Sequence, residues 1–409
     1  MMKVCHLTSL HSPFDVRIFY KECRSLARAG YDVTLIAPAS FREESVEGVR
    51  VLGVPPATGR RERWRVWRNL VQTVRRLEAD VIHFHDPELL LLTPFLGRAH
   101  LIYDCHEFNA LAMQSKPWLP RWGRRPAGWL VARLEPALAR RCSAVVLVNE
   151  AQEAIFRRTG RPLAVVRNFP LVPPSLPLRR DGDGRTVVHV GAHARTRGCS
   201  VMVAAFAEVV RRIPAARLWL VGPFNHPPYR AETEQLIGSL GLRAHVRMVG
   251  EVSYPVAMQW MRRADVGLVA IQPTPQYRHC LPTKLLEYMA AGVPVVAGET
   301  ADIGEVVRAW ECGILVPPDD PPAYGQAIVY LLTHPHHARQ LGRHGWMATQ
   351  TTFNWQLEEK RLLALYSSLQ PADVGSRQKL SAVEAGDKIH STQEVIDVSA
   401  GVGSGSTHR

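Results

Sequence analysis

The stretch VCHLTSLHSPFDVRIFYKECRSLARAGYDVTLIAP (4–38) sets the fold class. VCHLTSL (4–10) is a short apolar run of buried-strand type. RIFYKECRSLARAG (17–30) places Ile18, Phe19, Cys23, Leu26 and Ala27 at helical spacing and stops at Gly30, and VTLIAP (33–38) is a second strand. Together they make a βαβ unit. The alternation continues outward through VIHFHD (81–86), LIYDCHE (101–107), AVVLVN (144–149) and AVVRN (164–168), with amphipathic stretches between them. It restarts at VVHVG (187–191) and passes through a helix over 199–213, LWLVG (218–222), a helix near 231–240, VRMVG (246–250), VGLVA (266–270), a helix over 283–291, VPVVAG (293–298) and GILVPP (313–318). Such an order predicts parallel sheets with helices on both faces.

PLVPPSLPLRRDGDGR (170–185) carries four prolines and two glycines between the strand-rich halves and reads as a linker. The expected organisation is a Rossmann-like domain over 1–170, a linker over 171–185 and a second Rossmann-like domain over 186–352. A C-terminal helix over 353–369 and a disordered tail over 370–409 complete it. Two such halves suggest a cleft enzyme that binds a nucleotide beyond the carboxyl ends of one half's strands.

With 409 residues, 46% of them hydrophobic and 21% charged, the chain is not disordered throughout. Seven cysteines are scattered without a CxxC pair, and the opening MMKVCHL runs straight into a strand, so a reduced, cytoplasmic setting is expected. Apolar runs such as LLLLTPFL (89–96) fall short of the roughly 20 residues of a spanning helix. The net charge of +13 is concentrated early: 26 basic against 16 acidic side chains over 1–170, but 20 against 16 over 171–369. Residues 60–76 hold seven arginines with Trp64 and Trp67, and 116–141 hold seven basic residues with Trp118, Trp122 and Trp129. Arg-rich faces with Trp are what a helix lying on an anionic leaflet presents, as expected for a peripheral protein on the inner face of the cytoplasmic membrane. Core tryptophan with solvated arginine is the alternative. No helix-turn-helix, zinc-finger or RNA-binding motif accompanies the charge, so nucleic acid is not an expected partner.

LPTKLLEYMAAGVPVVAGE (281–299) concentrates the chemistry. Pro282 suits a first helical turn, and the free amides at that helix start, with Thr283, form a site for a diphosphate. Lys284 and Glu287 project from one face; Lys284 can reach a phosphate as a point charge, and Glu287 can accept from two vicinal ribose hydroxyls. A Lys–Glu surface pair on an ordinary helix is the competing reading.

This segment resembles the donor-binding signature of GT-B glycosyltransferases, in particular the large retaining family 4. HVGAHARTRG (189–198) and GETADIGEVVRAWECGILVPPDD (298–320) resemble the opening of that family's second domain and its later loop, helix and turn. HSPFDVRIFYKECRSLARAGYDVTLIAP and DVIHFHDPELLLL look like its bacterial cell-surface polysaccharide branch. The resemblance spans about 1–369. It implies an α/β GT-B fold, two Rossmann-like doubly wound parallel-sheet domains facing a central cleft, with the acceptor on the first domain and the nucleotide sugar on the second. The implied activity is retaining transfer of a hexosyl-type sugar from a nucleotide diphosphate sugar to an acceptor hydroxyl, with no metal or other cofactor. A lipid-linked or glycan acceptor is the implied partner.

The resemblance also implies roles. Arg197, Lys284 and His106 take the catalytic ones, His106 as a contact to the donor sugar; Gly191, Arg195, Pro282, Thr283 and Glu287 bind the donor. The first of the family's two glutamates is replaced by His279, read either as a sugar-hydroxyl partner or as a loop residue. The arginine that often follows the first glycine is replaced by Ala192; Arg195 or Lys284 is expected to supply the missing charge, with a plain solvated side chain as the other reading of Arg195. On the acceptor side, Asp15, Arg17, His85 and Asp86 are candidates, with Asp15 equally readable as a helix N-cap. Asn168 corresponds to an interdomain residue with a hinge or turn role. His83 and His85 are expected to face opposite sides of their strand, which argues against a His-x-His metal site. A sugar-nucleotide epimerase of the same fold and a catalytically weak scaffold of a membrane glycan-assembly complex are the rival readings.

Overall fold

The computed structural model describes residues 1–57, 59–116, 119–176, 184–274, 277 and 281–369. His279, Trp118, linker residues 177–183 and the tail from 370 lie outside the described residues. Strands β1 Lys3–Leu7, β2 Asp32–Pro38, β3 Glu43–Val46, β4 Val49–Val54, β5 Val81–Phe84, β6 His100–Cys105, β7 Ala144–Leu147 and β8 Leu163–Val165 form the first sheet. Its order is β3-β4-β2-β1-β5-β6-β7-β8. The second sheet comprises β9 Thr186–Val190, β10 Arg217–Val221, β11 Val246–Gly250, β12 Val266–Val269, β13 Val295–Gly298 and β14 Gly313–Val316, in the order β11-β10-β9-β12-β13-β14. All neighbours are parallel except β3 and β4.

In each sheet the first strand lies between its second and fourth parallel partners, so the chain winds outward in both directions from β1 and from β9. The crevice beyond the carboxyl ends at that reversal is where such sheets bind ligands. It falls beside His85, Asp86 and His106 in the first half and beside Gly191 in the second.

Local sequence explains the second sheet's packing. Every residue of β9 is buried, as a strand covered on both faces requires. The helix Cys199–Arg212 buries Cys199, Met202, Val203, Phe206 and Val209, three or four residues apart, against that sheet. Each such side chain contributes about 1.5–3 kcal/mol by leaving water. Gly198, just before this helix, has φ +68°, and a Cβ there would stand 2.0 Å from the Ala270 carbonyl oxygen. Only glycine permits that approach.

The last helix, Trp355–Ser368, packs on the first half. Its Trp355 Nε1 donates to Ser25 Oγ at 2.9 Å, and its Tyr366 hydroxyl lies 2.9 Å from His83 Nδ1.

Two features differ from the sequence expectations. β3 and β4 form an antiparallel hairpin around Glu47 and Gly48, both at positive φ, that periodicity alone did not reveal. The helix expected over 17–30 is π-helical over Val16–Cys23 and α-helical only over Arg24–Arg28. Arg17, Lys21 and Glu22 are all buried along the wider turn.

Candidate active site

A cavity of ≈ 570 Å³ opens between the halves. Gly191, Arg197, Thr283, Lys284 and Glu287 line it from the second half, and Asp15, Lys21 and Asn168 from the first. The signature helix Thr283–Ala290 begins where the spacing places it, with Pro282 at its N-cap rather than inside its first turn. Lys284 and Glu287 are both buried at its start. Lys284 Nζ lies 2.6 Å from His189 Nε2. Burial, followed by the Arg197 charge, holds the Lys284 ammonium well below the usual lysine range, with Glu287 opposing. Burial pushes the Glu287 carboxyl upward, and Lys21 and Lys284 pull it back.

Gly191 has φ +121°, and a Cβ on it would stand 3.3 Å from Lys284 Nζ. The glycine therefore leaves the ammonium room at the end of β9. Arg197 sits in a single 3₁₀ turn, Arg195–Arg197, with its guanidinium 5.5 Å from the Tyr277 ring centre. Arg195, in the same turn, is not a lining residue: it is exposed, pairs with Glu232 and covers the Tyr229 ring at 5.0 Å. Of the two readings of Arg195 the geometry selects the solvated side chain and rules out the clamp charge, because the 3₁₀ turn aims the two arginines apart.

Sequence reasoning missed the third cation at the cavity. Lys21 is fully buried, and its Nζ donates to Asn168 Oδ1 at 2.6 Å. Burial lowers its pKa to about 8 against the attraction of Glu287. Asn168 is thus held by a cavity lysine. The available signal was position: Lys21 and Glu22 stand three and four residues after Ile18, on the apolar face of the helix.

Of the acceptor-side candidates, only Asp15 lines this cavity. It is also the N-cap, with Oδ1 accepting from the amides of Arg17 at 2.8 Å and Ile18 at 3.0 Å. Arg17 is corrected to a buried structural residue. Its Nε and Nη2 donate to the two Asp104 oxygens at 2.9 Å each, and its Nη1 donates to the Val166 carbonyl at 2.9 Å. Buried there, Arg17 is not among the residues that line the cavity. Asp86 is buried and accepts from Thr8 Oγ1 at 2.8 Å and the Ser9 amide at 2.5 Å, tying the ends of β1 and β5 together. His85 is buried between His6, whose Nδ1 lies 2.9 Å from its Nε2, and Asp104. Neither side chain reaches the cavity.

His106, beyond the end of β6, lies with Nε2 2.8 Å from Asp104 Oδ2 and packs edge-on to His11 at 5.3 Å. It is outside the cavity lining. His11, another residue the sequence did not single out, bridges the two: its ring nitrogens lie 3.5 Å from Asp15 and 3.5 Å from Asp86. Burial lowers its pKa, but the Asp15 hydrogen bond and the Asp86, Asp15 and Glu107 charges outweigh that and lift it to about 9.

The expectation that His83 and His85 face opposite sides is wrong. Side chains alternate at each residue of a strand, so positions two apart return to one face. The rings stack 4.9 Å apart, and with Glu22 and Asp104 they bring four ligand atoms within 4.8 Å of one another. The donor set still does not suit a resident ion. Asp104 is held by Arg17, His85 Nε2 by His6, and only the Glu22 oxygens and His83 Nε2 lack hydrogen-bond partners. That falls short of the four ligands of a closed metal site, and the Arg17 guanidinium already stands 3.0 Å from Glu22. Burial and the Asp104 charge push the Glu22 carboxyl well above the usual range, favouring its neutral form.

The helix Arg121–Ala139 exposes Trp122 and Trp129 on the first half, the former at 83%. The neighbouring helix Arg63–Arg75 exposes Trp64 beneath the guanidinium groups of Arg65 and Arg68. The 3₁₀ segment Pro87–Phe95 touches both helices and exposes Leu91 and Phe95. Those exposed tryptophans are not core residues. Among the described residues no helix is long and apolar enough to cross a membrane.

Comparison with known proteins bears on this site. Residues 184–334 match the family Glycosyl transferases group 1, and residues 16–171 match the Glycosyl transferase 4-like domain. The phosphatidyl-myo-inositol mannosyltransferase of Mycolicibacterium smegmatis is 24% identical over 387 residues, 85% of this chain and 88% of that protein. Among solved structures, sucrose-phosphate synthase from Thermosynechococcus elongatus superposes with a TM-score of 0.72 at 20% identity, over 90% of this chain and 99% of that one. Anabaena HepE in complex with UDP and glucose gives 0.64 at 18% identity, over 90% and 100%. Both share the two-sheet fold.

Proposed function

Because the chain belongs to the group 1 glycosyltransferases, the GT4 family of GT-B fold, we propose that it builds a cell-surface polysaccharide or glycolipid by retaining sugar transfer to an acceptor hydroxyl. The donor is a nucleotide sugar, and the enzyme is of class EC 2.4. The observation that carries the site is the convergence of Gly191, Arg197, Thr283, Lys284 and Glu287 on one cavity.

In this reading the diphosphate lies across the start of the helix Thr283–Ala290, whose free amides and dipole favour an anion. Lys284 and Arg197 stabilise the negative charge that grows as the glycosidic bond breaks. The departing phosphate oxygen takes the acceptor hydroxyl's proton on the face the sugar leaves, so no protein nucleophile is required. Glu287 accepts from the ribose hydroxyls. Lys21 adds the cation that Ala192 does not supply. The halves 1–170 and 186–352 close across the intervening linker to exclude water.

The exposed Trp122, Trp129 and Trp64 with their arginines support docking on an anionic membrane surface, where a lipid-linked acceptor is presented. The mannosyltransferase relative is named for a phosphatidylinositol acceptor, and HepE was solved with UDP and glucose. UDP-sugars and a phosphoinositide or polyprenyl-linked acceptor are therefore the first to test. With the right pair, free nucleoside diphosphate accumulates with glycosylated acceptor. An altered nucleotide sugar without transfer would identify an epimerase, and no turnover of any bound donor would favour a scaffold.

A further inference from the structure

The Lys284 ammonium rests on a pair of histidines rather than on a carboxylate. Lys284 Nζ lies 2.6 Å from His189 Nε2, and His189 Nδ1 lies 3.2 Å from His193 Nδ1. Both rings are buried, His189 completely. His189 belongs to β9 and His193 to the loop that follows, so the pair stands behind the end of the strand where the cavity begins.

The hydrogen bonds fix the protons. When Lys284 is protonated, the form a diphosphate selects, it has only donors, so His189 Nε2 accepts. A neutral ring that accepts at Nε2 carries its hydrogen on Nδ1 and donates it to His193 Nδ1. His193 then carries its own hydrogen on Nε2, which is buried without a partner. The Phe224 ring, 4.5 Å from the His193 ring centre, packs against it. Each ring is left in one tautomer by its neighbour, and the chain of donors runs away from the cavity.

We propose that His189 and His193 are positioning residues for donor binding: a neutral imidazole pair that anchors Lys284 at the cavity while leaving its positive charge uncancelled for the diphosphate. The inference rests on the donor-site reading above. A carboxylate in the place of His189 would hold the lysine equally well but neutralise it. The groups facing Lys284 are His189, His193, Arg197, Glu287 and Cys199. Burial and Arg197 favour loss of its proton, and Glu287 opposes them. An arriving diphosphate adds negative charge to that balance, so binding favours the protonated lysine, and affinity falls as pH rises.

The test is calorimetric titration of inorganic pyrophosphate, and of whichever nucleoside diphosphate the wild type binds, across pH, on wild type, His189→Leu, His189→Gln and His193→Leu. Thermal melts without ligand check that each variant is folded. His189→Leu removes a hydrogen bond to a charged group and should weaken diphosphate binding about tenfold or more. The same loss should move the pH at which affinity declines down by about one unit. His189→Gln keeps an acceptor oxygen and should recover most of the affinity, whereas His193→Leu should show a smaller loss in the same direction. A folded His189→Leu with wild-type affinity and an unshifted pH profile would overturn the assignment, as would a glutamine variant no better than leucine. If the wild type binds neither pyrophosphate nor any nucleoside diphosphate, the donor-site reading itself fails and the pair has no phosphate lysine to position.

Discussion

Arg17 closes on Asp104 through two parallel hydrogen bonds of 2.9 Å, joining the first helix to the end of β6 across 87 residues of sequence. Both side chains are buried, and Glu22 stands beside them. Arg17→Met would leave the Asp104 carboxylate buried without its cation, a change that costs about 3–5 kcal/mol. Arg17→Lys cannot restore the fork and should rescue only part. Urea unfolding checks this, and a variant of unaltered stability with a raised acceptor KM would return Arg17 to substrate binding.

His11 makes stability pH-dependent. Its folded pKa of about 9 lies above the ordinary 6.5, so its contribution is fully present below about pH 6.5 and is lost as pH rises through about 9. The ring is partly exposed, and solvent screening keeps the increment small. Melting temperatures of wild type and His11→Gln should therefore converge between pH 6.5 and 9, comparison with the variant cancelling other titrations. Parallel curves would mean that His11 is not charged in the fold.

Gly198→Ala should disrupt the turn that presents Arg197. The left-handed φ of +68° costs a side-chain-bearing residue about 1–2 kcal/mol, and the new Cβ would collide with the Ala270 carbonyl. Denaturant unfolding should show a loss larger than that strain. A change within about 0.5 kcal/mol, typical of surface substitutions, would contradict the geometry.

Membrane docking should depend on the exposed tryptophans. Trp122→Ser with Trp129→Ser should reduce cosedimentation with phosphatidylglycerol-containing vesicles and leave the melting temperature unchanged, since both side chains are exposed. Added salt should weaken the wild-type binding as screening shortens the reach of its arginines. Equal sedimentation of wild type and double variant would remove this surface from the account.

Much of the fold was legible because it rests on local periodicity. Apolar strand runs alternating with helical spacing, interrupted once by a Pro-rich stretch, are enough to specify two parallel-sheet halves. The β3–β4 hairpin escaped because the edge strand β3 bears Glu43 and Glu44 without an apolar run, and Arg50 interrupts the apolar residues of β4. At the site, Lys284, Glu287, Gly191 and Arg197 were readable because one helix and one loop carry them. What sequence could not show is pairing at a distance. Nothing local tells that Arg17 meets Asp104, that Lys21 meets Asn168, or that Arg195 turns to Glu232 while Arg197 faces the cavity. The stacking of His83 and His85 was available from the two-residue period of a strand and was misread.

In the proposed function the cavity beside Lys284 and Glu287 holds a nucleoside diphosphate. Thermal stabilisation by UDP, GDP, ADP, dTDP and CMP, on wild type and on Glu287→Ala, tests it most directly, because a ligand at 100 times its dissociation constant adds about 2.7 kcal/mol. One nucleoside diphosphate should raise the wild-type melting temperature, and Glu287→Ala, itself folded, should respond much less. No shift with any nucleotide, or an equal shift in the variant, would contradict it.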